Sequence, residues 1–139
     1  MRDDVIDNSI ANSSLILLHE SEYMVRRTFA LFAKQGGFAE VIETSGYNNA
    51  LSKCYKHSFN VAIIGFESWV NEKKLIEIIR MGATKSAPDI PIIALLPNAT
   101  TGQLFELKSM EVNEVLLKPV RVRSIQEAFL AHNKIINHI

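Results

Sequence analysis

The sequence predicts a doubly wound α/β fold in which five parallel strands form one sheet covered by five helices. Short, continuous apolar runs such as Leu15-Ile16-Leu17-Leu18 and Val61-Ala62-Ile63-Ile64 suit strands that are buried on both faces. Between such runs lie longer segments whose apolar residues follow a helical period. Strands that alternate with amphipathic helices indicate a parallel sheet with helices on both sides.

The strands and helices can be assigned in order along the chain. Gly36-Gly37 ends the first helix, and Pro91 is tolerated because it stands at the start of a strand. The run from Ser124 to Glu127 predicts a capping box for the last helix. The predicted elements are strand 15–18, helix 22–35, strand 40–43, helix 48–57, strand 61–64, helix 72–81, strand 91–96, helix 101–110, strand 115–117 and a final helix that extends to Ile136.

Two helical surfaces receive specific predictions. The inward stripe of the first helix is predicted to contain Met24, Leu31 and Phe32, with Val25 and Phe29 beside them. The adjacent pair Arg26-Arg27 on the same helix is interpreted as facing solvent.

Length, charge and cysteine content exclude several classes of function. A chain of 139 residues fits one domain, assigned here to residues 14–139, and the polar residues 1–13 are interpreted as a flexible lead-in. The formal net charge is zero, so no global positive field attracts nucleic acid. The apolar runs are too short to span a membrane, and the N-terminus lacks a signal core. A single cysteine, Cys54, suits a reducing cytoplasm.

The carboxyl ends of the predicted strands are where a ligand site is expected. In doubly wound folds, ligands bind at this edge of the sheet, near the point where the strand order reverses. His19-Glu20 follows the first strand, Gly65 the third, Leu96-Pro97 the fourth and Lys118 the fifth. Any chemistry should therefore be found among these residues.

The chain resembles the receiver domain of response regulators, the CheY-like family with a flavodoxin-like (βα)5 fold. The resemblance covers about residues 14 to 138. It rests on four runs that occur in the family's order and spacing, namely Leu15-Ile16-Leu17-Leu18, Phe59-Asn60-Val61-Ala62-Ile63-Ile64, Ile90-Pro91-Ile92-Ile93-Ala94-Leu95 and Val115-Leu116-Leu117-Lys118-Pro119-Val120.

The resemblance implies a phosphorylation pocket at the strand ends. In the family, an acidic pair binds magnesium, an aspartate takes the phosphoryl group, a Ser or Thr and a Lys bind the phosphate, and an aromatic residue relays the change. The matching positions here are His19-Glu20 for the acidic pair, Gly65 for the aspartate, Leu96 for the hydroxyl, Lys118 for the lysine and Val115 for the aromatic switch position.

These substitutions predict that the usual chemistry is lost. Gly65 has no nucleophile, so no aspartyl phosphate can form there. Glu20 alone is a poor magnesium site, because this ion prefers several hard oxygen ligands, and His19 is a softer ligand. Leu96 cannot hydrogen-bond a phosphate oxygen. We therefore expect neither enzymatic activity nor a cofactor, and we do not expect magnesium to bind.

Several residues keep more than one interpretation. Lys118 either pairs with Glu20 or Glu67 in a way that imitates a neutralised pocket and locks one state, or it forms an ordinary salt bridge or is solvated. His19 is either a hydrogen-bonded polar residue or a metal ligand or phosphohistidine. Trp69 is either loop packing or part of a contact surface.

The leading hypothesis is a pseudo-receiver in bacterial two-component-type signal transduction, which acts through protein–protein contacts without phosphorylation at the usual position. The expected contact face is the fourth helix, fifth strand and fifth helix, with Phe105, Lys108, Arg121 and Arg123, and it would meet either a signalling protein or a second copy of the chain. One alternative is phosphorylation at an unusual residue, Glu67 or His19. Another is a small-ligand or second-messenger site at a basic patch around the last strand and helix, formed by Lys108, Lys118, Arg121 and Arg123.

Overall fold

The computed structural model describes residues 14–133, which form one five-stranded parallel sheet in the order β2-β1-β3-β4-β5. The predicted doubly wound fold is therefore confirmed. The strands are β1 (Ser14–His19), β2 (Ala39–Thr44), β3 (Val61–Gly65), β4 (Ile92–Leu96) and β5 (Glu114–Leu117). The helices are α1 (Tyr23–Gln35), α2 (Tyr47–Lys56), α3 (Trp69–Arg80), α4 (Thr101–Ser109) and α5 (Val122–His132). Within residues 14–133, none of these helices has the length and apolar character that crossing a membrane requires.

The strand register aligns the carboxyl ends of the strands. His19 lies beside Thr44 of β2 and Ile64 of β3. Gly65 lies beside Leu95 of β4, whose last residue, Leu96, lies beside Leu117 of β5. The residues that follow β1, β3, β4 and β5 therefore emerge along one edge of the sheet.

Alternate strand residues pack into two apolar layers. On one face, Leu17 and Ile64 pack with buried residues of α2, α3 and α4. On the other face, Ile16 and Ile63 pack with buried residues of α1 and α5. Each fully buried Leu or Ile contributes about 1.5–3 kcal/mol relative to an exposed one, so both faces of the sheet stabilise the fold.

The predicted inward face of α1 is correct only in part: Phe29 is buried, and Val25 and Phe32 pack partly buried against the same core layer, but the other two residues do not. Met24 and Leu31 are 69% and 45% exposed, whereas the buried residues of the helix are Phe29, Ala30 and Ala33. Two alanines let the helix approach the sheet closely, and the Phe29 ring meets the edge of the Phe129 ring at 5.7 Å between centroids. A count of large apolar residues overlooks such small packing residues.

The predicted capping box of α5 is also wrong. The helix begins at Val122, and its N-cap, Arg121, makes no side-chain capping bond. Ile125 is fully buried, so packing against the sheet outweighs the local signal at Ser124. A capping box occurs instead at α4, where Thr100 and Gln103 exchange side-chain-to-backbone bonds of 3.1 Å. The predicted lead-in over 1–13 and the helical extension to Ile136 lie outside the described residues.

Candidate functional site

Glu20, Gly65 and Lys118 meet at the carboxyl edge of the sheet. Glu20 directly follows β1, Gly65 ends β3 and Lys118 directly follows β5. The backbone N–H of Lys118 donates to the carbonyl of Leu96 at 2.6 Å, which fixes the lysine next to β4. The Lys118 ammonium lies 3.3 Å from each carboxylate oxygen of Glu20. The sequence left Glu20 and Glu67 open as partners of Lys118, and the structure places Glu20 beside it.

The carboxylate of Glu20 fills the space in front of Gly65. A Cβ atom added at Gly65 would lie 2.0 Å from Glu20 Oε1 and 3.1 Å from the backbone oxygen of His19. No real Cβ tolerates the first distance, so a side chain at position 65 requires Glu20 to move. The glycine thus permits a close approach of the glutamate, and any larger residue at position 65 displaces the glutamate from this place.

Glu20 is deeply buried and depends on Lys118 for charge compensation. The residue is 1% exposed, and its Oε2 accepts hydrogen bonds from the backbone N–H of Glu22 at 2.9 Å and from Lys118. Its Oε1 has no well-oriented hydrogen bond among the described residues, although the Lys118 ammonium lies within ion-pair distance of it. Lys118 also donates to the carbonyl of Phe66 at 3.5 Å. Loss of the lysine would therefore leave a buried carboxylate charge unpaired.

His19 belongs to a second buried network that contains Glu72. One ring nitrogen, Nδ1, lies 2.9 Å from Thr44 Oγ1, and the other, Nε2, lies 3.0 Å from Glu72 Oε2. The other Glu72 oxygen accepts hydrogen bonds from the backbone N–H groups of Glu67 at 3.1 Å and Ser68 at 2.8 Å. Both ring nitrogens of His19 are thus engaged, and the geometry corresponds to the hydrogen-bonded interpretation of this residue.

Sequence reasoning missed Glu72 and Thr44. Glu72 carries one signal that could have been used, because it stands in the first turn of α3, where acidic residues are favoured. That signal predicts an interaction with the helix end and its preceding loop, and Glu72 does bind that loop. It gives no indication of His19, which is 53 residues away in sequence.

The residues at this edge do not fit a magnesium ion. Glu20 supplies the single carboxylate next to Gly65, and Lys118 already compensates its charge. His19 is engaged at both nitrogens, and Gly65 contributes no side chain. Within residues 14–133, no group of three or more His, Cys, Asp or Glu side chains is placed to hold a metal ion.

Glu67, Leu96 and Val115 lie around this centre without joining the ion pair. Glu67 is exposed, and its backbone N–H binds Glu72. Leu96 is buried in the core layer beneath α3 and α4, and Val115 is half-buried against the same layer. Leu96 and Val115, at the positions that the resemblance matches to the hydroxyl and the aromatic switch residue, are therefore apolar packing residues.

A small pocket opens beside the site. Its volume is about 150 Å³. Trp69 is the first residue of α3, and its ring packs on that of Phe66 at 5.5 Å between centroids. Trp69 therefore contributes both to loop packing and to an accessible surface. The residues that line the pocket are Phe66, Glu67, Trp69, Leu96, Pro97, Asn98 and Gln103.

The expected contact face is exposed. Phe105 on α4 is 73% exposed, and Lys108, Arg121 and Arg123 are also exposed. Arg123 makes a 3.9 Å ion pair with Glu127, its neighbour one turn later. Lys118, which the sequence placed in the same basic patch, is instead turned toward Glu20.

The interpretation of Arg26-Arg27 as a solvent-facing pair is wrong for Arg26, whose side chain is 14% exposed, and holds only in part for Arg27, whose side chain is 40% exposed. Both side chains pair with Glu43 of β2, and Arg26 also donates to the carbonyl of Glu20 at 2.8 Å. The physical reason is that the helix crosses next to β2, where Glu43 attracts both guanidinium groups. Arg26 thus helps to hold the backbone of the residue that carries the site carboxylate.

Comparison with known proteins identifies the fold. No protein-family profile and no curated protein sequence matches the chain. Among solved structures, it is similar to a CheY-like response regulator receiver domain protein from Methanospirillum hungatei JF-1, with a TM-score of 0.76 and 16% identity, covering 90% of this chain and 97% of the other. It is also similar to chemotaxis protein CheY4 of Vibrio cholerae, with a TM-score of 0.73 and 18% identity, covering 86% and 98%.

A third similar structure contains a phosphorylated residue. It is a response regulator protein from Burkholderia pseudomallei with a phosphorylated aspartic acid, a calcium ion and citrate. Its TM-score is 0.66 and its identity 18%, covering 90% of this chain and 71% of that one. At such identities the likeness concerns the backbone and not the chemistry. The chain has the receiver-domain fold of two-component signalling proteins.

Proposed function

We propose that this protein is a pseudo-receiver, a signalling module that acts through protein–protein contacts and is not phosphorylated at the usual position. The observation that carries the proposal is the placement of the Glu20 carboxylate over Gly65 and against Lys118. A phosphoryl acceptor at that position would need both a nucleophile and the space that Glu20 occupies. Such a module would work in the cytoplasm, as the single cysteine suggests.

The proposed mechanism is an internally compensated pocket. In a phosphorylatable receiver the pocket changes its charge when an anion is added, and the surface responds. Here the negative charge is part of Glu20, and its counter-charge is part of Lys118. The pocket then has one charge state, and changes at the surface must come from a partner that binds one conformation better than another.

The partner is proposed to bind the face formed by α4, β5 and α5, where Phe105, Lys108, Arg121 and Arg123 are exposed. A second copy of the chain is the simplest partner to test, by light scattering after size exclusion over a range of concentrations. Phe105→Ala should weaken any self-association, because an exposed phenylalanine at an interface contributes by its buried area. A monomer at all concentrations would favour a different signalling protein.

The test of the proposal is a phosphorylation assay. The protein is incubated with acetyl phosphate and magnesium, and its intact mass is measured at neutral pH so that acyl phosphates survive. The Burkholderia pseudomallei response regulator, whose structure holds a phosphorylated aspartic acid, serves as the positive control. We expect no phosphoryl adduct on this protein. A stoichiometric adduct would refute the proposal, and repeating the assay with Glu67→Gln would identify the accessible alternative acceptor.

A further inference from the structure

The pocket beside the site, here called the Trp69 pocket, is lined by Phe66, Trp69, Leu96 and Pro97 together with the polar residues Glu67 and Gln103. Its volume of about 150 Å³ is small. Pockets for drug-sized ligands usually measure about 300–1,000 Å³. The Trp69 pocket therefore suits a group about the size of one amino-acid side chain.

The walls of the pocket favour a flat or extended side chain that carries a positive charge. The rings of Phe66 and Trp69 pack at 5.5 Å between centroids with an interplanar angle of 34°. Aromatic ring faces attract cations, and tryptophan does so most strongly. The planar guanidinium of arginine also stacks on such rings, which an ammonium cannot do.

The pocket also has one uncompensated acidic side chain. Glu67 is exposed, and within residues 14–133 no ion pair or side-chain hydrogen bond engages its carboxylate. Two lysines pair with other carboxylates, Lys118 with Glu20 and Lys73 with Glu106 at 2.6 Å. Among the residues that line the pocket, Glu67 is the charged one, and its carboxylate is complementary to a cation.

The loop that carries this acidic group is held in place before any partner arrives. Glu72 accepts hydrogen bonds from the backbone N–H groups of Glu67 and Ser68, and it is itself bound by His19. Ser68 additionally caps α3 by accepting from the N–H of Asn71 at 3.4 Å. A loop fixed in this way loses little conformational entropy on binding, which favours recognition.

We propose that the Trp69 pocket receives one arginine side chain from a partner protein, with the guanidinium stacked on Trp69 and paired with Glu67. The exposed apolar residues Val70, Leu104 and Phe105 follow the pocket residues Trp69 and Gln103 in sequence on α3 and α4. This inference depends on the proposed function for one point only, namely that the arginine belongs to a protein partner. The pocket and its charge do not depend on it.

The test uses acetyl-Gly-Arg-Gly-amide as the probe and the fluorescence of Trp69, the sole tryptophan of the chain, as the signal. We expect a saturable change at millimolar peptide. The citrulline peptide, which is similar in shape and uncharged, should bind about fivefold more weakly or worse. Glu67→Gln should weaken binding of the arginine peptide about two- to fivefold, the range of an exposed ion pair. Glu127→Gln, an exposed glutamate on α5 across the sheet, is the matched control and should bind as the wild type does.

Three outcomes would overturn the proposal. These are a non-saturable response, equal binding of the arginine and citrulline peptides, or equal binding by wild type and Glu67→Gln. The phosphorylation assay is independent of all three. If the protein binds the arginine peptide and also takes up phosphate, the proposed function is refuted and this inference stands. If it neither binds the peptide nor takes up phosphate, this inference is refuted and the proposed function stands.

Discussion

Replacement of Lys118 by methionine tests the ion pair at the centre of the site. The substitution keeps most of the side-chain length and removes the charge, so Glu20 remains 1% exposed with no cation beside it. Breaking a fully buried pair in this way costs about 3–5 kcal/mol, and the 23% exposure of the Lys118 side chain lowers our expectation to about 2–3 kcal/mol. For a domain of this size, that loss corresponds to a fall in Tm of roughly 5–12 °C.

Removal of the carboxylate charge by Glu20→Gln should cost less stability than removal of the lysine charge. In Glu20→Gln the buried group becomes neutral, and the half-buried lysine can reach solvent, so the expected loss is about 1–2 kcal/mol. The double variant removes both charges and should be more stable than the sum of the single losses predicts. A double-mutant cycle would then give a favourable coupling of about 1–2 kcal/mol between Glu20 and Lys118.

The assay is equilibrium unfolding in urea at pH 7, followed through Trp69 fluorescence and, independently, through far-ultraviolet circular dichroism. Arg123→Met is the matched control, because it removes an exposed cation whose ion pair is long and solvated. It should change stability by less than about 0.5 kcal/mol. If Lys118→Met proved as neutral as this control, or if the cycle gave no coupling, Glu20 and Lys118 would not form a buried charge pair in solution.

Three further predictions concern Gly65, Glu72 and Cys54. Gly65→Ala should destabilise the fold by about 1–3 kcal/mol, because the added Cβ meets Glu20 Oε1. The loss of stability should be smaller in a Glu20→Ala background. An equal loss in both backgrounds would mean that the backbone at position 65, and not the contact with Glu20, disfavours a side chain. Glu72→Gln should loosen the loop before α3, seen as faster amide exchange at Ser68, whereas protection equal to wild type would count against the network. Burial raises the pKa of the Cys54 thiol from 9.0 to about 11, so the folded protein should resist iodoacetamide at pH 8. The unfolded chain releases the Cys54 proton first, so stability should fall between pH 9 and 11, and rapid native labelling would contradict this assignment.

The fold was predictable because its signals are local and repeated. The runs at β1 and β3 are apolar at every position, which only a strand covered on both faces requires, and both strands lie in the middle of the sheet. The order of elements then leaves few topologies, since crossovers between parallel strands are right-handed. The orientation of α1 was not predictable in this way, because the alanines that decide it carry little hydrophobic signal.

The residues of the site could be predicted from the sequence, whereas only some of the contacts between them could. The strand ends determine which residues share an edge, so Glu20, Gly65 and Lys118 could be grouped from the sequence alone. The choice between Glu20 and Glu67 as the partner of Lys118 depends on side-chain directions, which no periodicity encodes. The bond between His19 and Glu72 joins residues 53 positions apart, and neither has a neighbour in sequence that implies it.

Two carboxylates that are buried among residues 14–133, those of Glu20 and Glu72, connect the loops at the carboxyl edge of the sheet. Glu20 connects the loop after β1 to Lys118 after β5, and Glu72 connects the loop after β3 to His19 at the end of β1. Replacing a buried ion pair with apolar residues is often neutral or stabilising, so stability alone does not require the Glu20–Lys118 pair. What the pair does supply is a fixed geometry of the strand ends. If that geometry is the functional one, Glu20→Met combined with Lys118→Met should preserve stability while changing the positions of Phe66 and Trp69, and with them the binding of the arginine peptide.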